Sequence, residues 1–217
     1  MPGLWNAVIL LFAYLLGSVP NAVWIGKVFF NTDVRDYGSK NSGSTNTIRV
    51  LGYKAGIPVL LLDILKGFLA VKLIYFTFYY IPATGDYINF QLLLGLAVIF
   101  GHIFPVFANF RGGKGVATLL GVILAIDPVS TLICIGVFLI TLIITKYVSL
   151  SSMIAGLSFP VLVIVVFTTT TSSLVIFSLI VFVLLLFTHQ KNIERLVRNE
   201  ESKATFLFRR REERRAS

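Results

Sequence analysis

Two polar stretches of the chain collect the residue types that hold anions. In the first, Gly38, Ser39, Asn41, Ser42, Gly43, Ser44, Thr45 and Asn46 run up to Arg49. Glycines and small hydroxyl or amide residues leave backbone N–H groups accessible, and an arginine can grip a phosphate through two parallel hydrogen bonds. A flexible linker would account for the polarity here but has no need of so many Asn and Thr beside an arginine. In the second, Gly101, His102 and Pro105 are followed by Phe110, Arg111, Gly112, Gly113, Lys114 and Gly115, directly ahead of an apolar run. That order aims backbone N–H groups and a helix N-terminus at an anion, with Lys114 as a point charge. It differs from the nucleotide-binding loop G-x-x-x-x-G-K-[ST], because a glycine follows the lysine, and no βαβ pattern surrounds it. The competing account is a turn where the chain enters a membrane, with an interfacial lysine. His102 on its own reads as structural rather than catalytic.

Two shorter segments add to these. One carries Lys146, Tyr147, Ser149, Ser151 and Ser152; the other carries His189, Asn192, Ile193 and Arg195. On a helix His189, Asn192 and Ile193 share a face, being three and four residues apart. A histidine at a membrane boundary can take a proton near neutral pH, with an interfacial anchor as the alternative. Two phosphate-friendly stretches, a serine turn and this histidine together predict a substrate with more than one anionic group. A metal centre is not expected: two histidines are too few for a histidine cluster, carboxylates are sparse, and Cys134 is the sole cysteine.

The elements that must position these residues belong to a membrane bundle. Of the 217 residues, 56% are hydrophobic and 13% charged, and the mean hydropathy is +0.87. A soluble domain of this size needs about a quarter of its residues charged, so much of the surface is expected to face lipid. The length fits one compact domain over residues 1–217, and the first apolar run reads as a retained helix rather than a cleaved signal. A spanning helix needs roughly 20 apolar residues. The candidates are residues 4–28, 56–80, 88–107, 116–126, 129–145, 152–167 and 173–187, which predicts an all-α polytopic protein with seven transmembrane helices. The fourth is short, and a re-entrant segment there, giving five or six spans, is the alternative.

Charge tests the count. With seven spans, residues 29–55, 108–115, 146–151 and 188–217 share one side, which then holds Arg35, Lys40, Arg49, Lys54, Arg111, Lys114, Lys146 and nine Lys or Arg of the tail. The opposite loops hold Asp86 and Asp127 and no Lys or Arg. The positive-inside rule then places the N-terminus outside and the C-terminus in the cytoplasm. The basic tail, residues 188–217, includes Phe206, Leu207 and Phe208 before Arg209, Arg210, Arg211, Arg214 and Arg215. It is read as a segment attracted to anionic membrane lipid, and no nucleic-acid partner is expected. Within the spans, Asp63 and Lys66 lie one turn apart and predict a local ion pair. Lys27 and Lys72 are expected to snorkel, without a catalytic role for Lys72.

At this point the motifs resemble those of the PlsY-type membrane acyltransferases. The resemblance runs through Gly17-Ser18-Val19-Pro20 with Lys27, and Gly38-Ser39 with Asn41, Gly43, Thr45, Asn46 and Arg49. It continues in Leu62-Asp63 with Lys66-Gly67, in Gly101-His102 with Pro105-Val106-Phe107, and in residues 110–118. It ends in Tyr147-Val148-Ser149-Leu150 with Ser152, and His189 with Asn192-Ile193 and Arg195-Leu196. It implies acyl transfer from acyl phosphate to glycerol 3-phosphate in a bacterial inner membrane, with the active site on the cytoplasmic face and no metal, nucleotide or other cofactor. By motif, Ser39, Asn41, Thr45, Asn46 and Arg49 would bind a substrate phosphate. Gly112, Gly113, Lys114 and Gly115 would hold a second. Ser152, His189 and Asn192 would complete the pocket, and Glu201 matches the family's glutamate in the tail. The chain departs from the pattern with Lys40 and Asn199 where the family has Gly, Ser44 where it has Ala, and Asn21 after the proline.

An acyl phosphate is already activated, so the protein must mainly align a hydroxyl with the carbonyl and neutralise two phosphates. Arg49 and Lys114 suit that division. The serines and His189 lack an acidic orienter, which predicts direct transfer without an acyl-enzyme, the proton passing to His189 or to a phosphate oxygen. A transporter of an organic phosphate anion is the rival function; it would want a polar path to both sides, and the outer loops offer no cation. A structural scaffold using the arginine tail is a second rival, and it leaves the glycine-lysine stretch unexplained.

Overall fold

The structure, a computed structural model, describes residues 2–77, 81–82 and 84–205. These form α1 (Pro2–Ser18), α2 (Asn21–Phe30), α3 (Ser44–Leu51), α4 (Tyr53–Lys72), α5 (Gly85–Ile103), α6 (Val116–Ile126), α7 (Pro128–Thr145), α8 (Val148–Val161), α9 (Ser172–Thr188) and α10 (Gln190–Val197). No strand occurs among the described residues. The end of the expected second span, residues 78–80, and the arginine-rich stretch from residue 206 lie outside them.

The first apolar run is not the single helix expected over 4–28. It breaks at Val19 and Pro20, and its two pieces meet at 43°. A proline has no N–H to donate and disfavours helical backbone in the residue before it. The carbonyl of Val19, freed by the break, accepts a hydrogen bond of 2.9 Å from Lys66 Nζ. The short fourth segment forms a helix over the expected residues. Gly115 starts it at φ +83°. Asp127 ends it and caps α7, where its carboxylate accepts the Ser130 N–H at 3.0 Å beside Pro128 in the first turn.

Among the described residues, three helical stretches can cross a bilayer by length and composition, or up to five if each bent pair is one span. The 11-residue α6 is too short by itself, and α4 carries Lys54, Asp63, Lys66 and Lys72. Both are nevertheless central to the bundle. α4 and α6 cross where a Cβ on Gly121 would collide with the Ile64 carbonyl and one on Gly67 with the Thr118 carbonyl. α1 meets α5 in the same way, with Gly17 against the Val98 carbonyl and Gly101 against the Tyr14 carbonyl. Lipid tails are as apolar as leucine, so helices in a membrane associate through such close backbone approach and interhelical polar contacts. Leu94, Val98, Val122, Phe159, Phe177 and Val181 fill the space between the helices, while Leu132, Ile143 and Val183 point outward.

The ion pair expected in α4 is present, with Lys66 Nζ 2.9 Å from Asp63 Oδ1 and both side chains buried. Asn21 Nδ2 donates to the same oxygen at 2.9 Å. Lys72 donates to the Ala125 carbonyl at 3.3 Å and lies 5.1 Å from the Phe68 ring centroid, away from the polar loops. Lys27 pairs with Asp33 at 3.3 Å.

A methyl group at the tightest crossing should be costly. Gly121→Ala is expected to destabilise the bundle by about 2 kcal/mol through overpacking, read as a lowered thermal midpoint of the detergent-solubilised protein. Gly136→Ala, whose Cβ meets nothing within 4 Å, should leave the midpoint unchanged.

Candidate active site

The first polar stretch folds around one amide. Asn46 is buried. Its Nδ2 is shared among the carbonyls of Val34 at 2.8 Å, Asn41 at 3.0 Å and Tyr37 at 3.2 Å, while its Oδ1 accepts the Ser39 N–H at 2.8 Å. The amide expected to touch substrate is thus occupied in shaping the loop. The loop turns through left-handed backbone at Gly38 (φ +59°) and Lys40 (φ +57°). Ser39 and Arg49 are exposed, and Asn41 and Thr45 are half-buried. Asp33 fixes the beginning of the loop. It accepts the Arg35 N–H at 3.0 Å, and the Arg35 guanidinium grips it at 2.7 and 3.0 Å, which holds its carboxyl well below the usual range. Arg35 Nη1 also donates to the Ala108 carbonyl at 3.1 Å, tying this loop to the glycine-lysine loop.

In that second loop the glycines serve close packing. A Cβ on Gly112 would strike the His102 carbonyl, and one on Gly113 would strike His102 Nε2. The Gly113 N–H is donated to the His102 carbonyl at 3.1 Å, so it is not one of those left for an anion. The loop delivers Lys114 to Asn192 in α10: Lys114 Nζ donates to Asn192 Oδ1, and the Thr188 hydroxyl sits between the Lys114 carbonyl at 3.2 Å and the Leu185 carbonyl of its own helix at 3.0 Å, with one proton to share. The other end of the Asn192 amide, Nδ2, donates to Glu201 Oε1 at 2.6 Å. Ser149 Oγ donates to that same oxygen at 2.6 Å, and Arg195 Nε reaches Glu201 Oε2 at 2.8 Å. Burial alone would raise the Glu201 carboxyl. The hydrogen bonds from Ser149, Asn192 and Arg195 outweigh it and keep the group below its ordinary range. Burial lowers Lys114 to about 8; the Glu201 charge opposes that shift, and the Arg195 and Arg49 charges add to it. Arg49 is therefore within electrostatic reach of Lys114, Glu201 and Arg195. Arg195 pairs with the carboxylate, Asn192 bridges it to Lys114, and Arg49 adds its charge, an excess of positive charge suited to a phosphate.

Glu201 reaches this cluster because of a turn. Asn199 takes φ +58°, a left-handed conformation that asparagine tolerates better than most residues, so the turn survives the absence of glycine. Beyond it, the Ala204 N–H donates to the Lys146 carbonyl at 2.8 Å with Ala204 buried, pinning the segment to the α7–α8 junction. His189 caps α9 and is buried. Its Nδ1 lies 2.8 Å from the Leu185 carbonyl. A carbonyl only accepts, so this contact assigns the proton to Nδ1 and leaves Nε2 as an acceptor. Burial, and then the Lys114 charge, lower its pKa to about 4, so the ring is neutral near pH 7. Ser152 does not join the cluster by hydrogen bonding; its hydroxyl donates to the Val148 carbonyl of its own helix at 2.9 Å.

Ser149, Arg195 and Thr188 carry site contacts that sequence reasoning left without a role. Arg195 shares a helix with Asn192, and that spacing was the one available signal. The 52 residues between Ser149 and Glu201 concealed the other. Beside Lys114 and Gly115, a cleft between α5, α6 and α9 is lined by Ile99, Ile103, Leu119, Val181, Leu184 and Leu185. No group of three or more metal-ligating side chains occurs among the described residues.

A helical bundle with apolar outward faces that gathers cations in its polar loops defines a class: integral membrane proteins with an anion-holding face. Residues 7–199 match the sequence profile of the family described as glycerol-3-phosphate acyltransferase. The glycerol-3-phosphate acyltransferase of Listeria monocytogenes serotype 4a (strain HCC23) is 44% identical over 197 residues, covering 91% of this chain and 96% of the relative. That of Chlorobium phaeobacteroides (strain BS1) is 45% identical over 162 residues, covering 73% of this chain and 69% of the relative. Two crystal structures of PlsY (YgiH), an integral membrane glycerol 3-phosphate acyltransferase, are similar throughout. The glycerol 3-phosphate form superposes with a TM-score of 0.82 at 34% identity, covering 94% of this chain and 99% of that one. The lysophosphatidic acid form gives 0.78 at 34% identity, covering 91% and 94%. The chain belongs to the glycerol-3-phosphate acyltransferase family and is a PlsY-type membrane acyltransferase.

The two left-handed positions held by Lys40 and Asn199 can be tested directly. Lys40→Gly should relieve left-handed backbone and stabilise the protein by about 1 kcal/mol, seen as a raised thermal midpoint. Asn199→Val, a β-branched residue in the same region of φ, should lower the midpoint and release the tail, seen as faster proteolysis after residue 198.

Proposed function

We propose that this chain transfers an acyl group from acyl phosphate to the 1-hydroxyl of glycerol 3-phosphate, giving lysophosphatidic acid and phosphate. The observation that carries the reading is the Lys114–Asn192–Glu201–Arg195 network, with Arg49 within electrostatic reach and apolar side chains of α5, α6 and α9 beside Lys114. The apolar side chains beside Lys114 suit contact with an acyl chain, and the cations suit the phosphates. A transporter reading accounts for the charge but not for membership of an acyltransferase family.

The chain is a single integral membrane unit crossing the bacterial inner membrane seven times, with its N-terminus outside and its site on the cytoplasmic face. The one-sided distribution of Lys and Arg supports this, as does the packing of the short α6 against α4. Ser39, Asn41, Thr45 and Arg49 bind one phosphate, and Lys114 with the helix start at Gly115 binds the other. Asn46, Gly112 and Gly113 hold the two loops in shape. Asn192 and Glu201 fix the Lys114 ammonium, while Ser152 supports the α8 turn that presents Ser149.

The hydroxyl oxygen attacks the acyl carbonyl carbon, the bond from that carbon to the phosphate oxygen breaks, and phosphate leaves with the bonding electrons. Cations around both phosphates stabilise the charge that moves onto the leaving oxygen. The hydroxyl proton passes to His189 Nε2 or to a phosphate oxygen. In this reading no acyl-enzyme forms: Ser149 donates to Glu201 Oε1, but the hydrogen bonds from Asn192 and Arg195 hold that carboxyl below its ordinary range and make it a poor proton acceptor.

Purified protein supplied with acyl phosphate and glycerol 3-phosphate should release phosphate and form lysophosphatidic acid; folded protein that makes neither would sink the reading. Arg49→Ala and Lys114→Ala should each lower turnover about 100-fold or more while the folded yield is kept. Activity should fall above pH 8 as Lys114 deprotonates, and Glu201→Gln should move that alkaline limb to lower pH, since the Glu201 charge favours the ammonium. On the acid side, a limb near pH 6 would identify a phosphate oxygen as the proton acceptor, whereas His189 predicts a limb near pH 4.

A further inference from the structure

His102 lies in the last turn of α5, beneath the glycine-lysine loop, and is 6% exposed. Its contacts come from three residues on three parts of the fold. Its carbonyl accepts the Gly113 N–H at 3.1 Å. Its Nε2 edge faces Gly113 so closely that a Cβ there would overlap it. Its Nδ1 lies 3.1 Å from Thr118 Oγ1 in α6 and 3.8 Å from Asp63 Oδ1 in α4. Asp63 is itself anchored: it receives Asn21 Nδ2 and Lys66 Nζ, each at 2.9 Å, and Lys66 also donates 2.9 Å to the Val19 carbonyl at the α1–α2 break.

A buried ionic group inside a helical bundle is costly, and replacing it with packed apolar side chains is often neutral or stabilising. Stability alone therefore gives this network little reason to exist. What it does is couple the break before α2, the middle of α4, the end of α5 and the start of α6 to one residue of the loop. That residue, Gly113, directly precedes Lys114. The ring has no route to a substrate of its own, because Gly113 covers Nε2 and Thr118 and Asp63 flank Nδ1.

We propose that His102 is a positioning residue for the Lys114 loop, seating Gly113 on a fixed base of Asp63, Lys66 and Asn21 so that the ammonium meets Asn192. The proposal rests on the acyltransferase reading of the same site. His102 acts through the loop backbone and forms no bond to either substrate. Thr118 fixes the rotation of the ring, and the ring in turn sets how closely the loop approaches α5. A loop displaced by an ångström would carry the Lys114 ammonium off Asn192, and a misplacement of that size in a site can lower rate about 100-fold.

The test is a set of double-mutant cycles on the full-length protein in detergent, with kcat and KM for both substrates and the thermal midpoint measured for every variant. Thr118→Val keeps the side-chain shape and removes the hydroxyl beside Nδ1. It should lower kcat/KM about tenfold, and His102→Ala should lower it further. The double variant should be no worse than His102→Ala alone, and Gly113→Ala with His102→Ala should likewise be less than additive, because removing the ring makes room for the new methyl. His102→Asn, which can still meet Thr118, should recover part of the activity lost in His102→Ala at an equal midpoint. Additive losses, or Asn and Ala variants equally active, would overturn the proposal. If His102→Ala does not yield folded protein, the Thr118→Val and Gly113→Ala cycle decides by the same criterion. Wild-type turnover separates the two readings: an active wild type with additive losses defeats only the role of His102, whereas a folded wild type that makes no lysophosphatidic acid defeats the acyltransfer reading and this proposal with it.

Discussion

A lysine that must remain charged while half-buried, beside two other cations, constrains the rest of the site. Burial and the charges of Arg49 and Arg195 all favour loss of the Lys114 proton, and one carboxylate opposes them. Glu201 can do so only if it is ionised itself, which explains its three hydrogen-bond donors: Ser149, Asn192 and Arg195. Asn192 then has no freedom of orientation. An ionised carboxylate accepts only, so the amide must turn its NH2 to Glu201 and its oxygen to Lys114. Three stretches distant in sequence, the Lys114 loop, the start of α8 and residues 192–201, are locked by a single protonation state.

The bundle supplies the rigidity this requires, largely through groups that hydropathy ignores. Gly17, Gly67, Gly101 and Gly121 let backbones touch, and the Asp63–Lys66–Asn21 network fills the polar needs left by the break at Pro20. Close packing without a hydrophobic driving force depends on such contacts. The lipid-facing side chains set where the helices sit. The glycines and buried charges set how they meet.

Much of this was legible in the sequence, for identifiable reasons. Helix α6 was found despite its 11 residues because Gly115 and Asp127-Pro128 bracket it with strong local signals. The α4 ion pair followed from i, i+3 spacing alone. The break at Val19 is hidden when hydropathy is averaged over a span, because the apolar residues on either side outweigh the Gly17-Ser18 and Pro20-Asn21 that mark it. Polarity drew attention to Asn46, Gly112 and Gly113, but polarity does not reveal whether an amide or an N–H is already occupied by the chain's own carbonyls. Ser149 stood beside Ser152 with the same composition signal. Only the fold shows that one hydroxyl bonds Glu201 and the other its own helix. Lys40 and Asn199 looked like departures that weakened the match, yet both adopt the backbone that glycine would, so the shape persisted where the residue type did not.

The position of Glu201 in the chain bears on how the protein is made. Lys114 and Ser149 are made long before it, whereas Asn192 and Arg195 precede it by only nine and six residues. The oldest and the youngest parts of the cluster therefore meet only when the segment after α10 folds back onto the α7–α8 junction. Shortening the protein before Glu201 would leave the Lys114 ammonium without the one carboxylate that opposes loss of its proton.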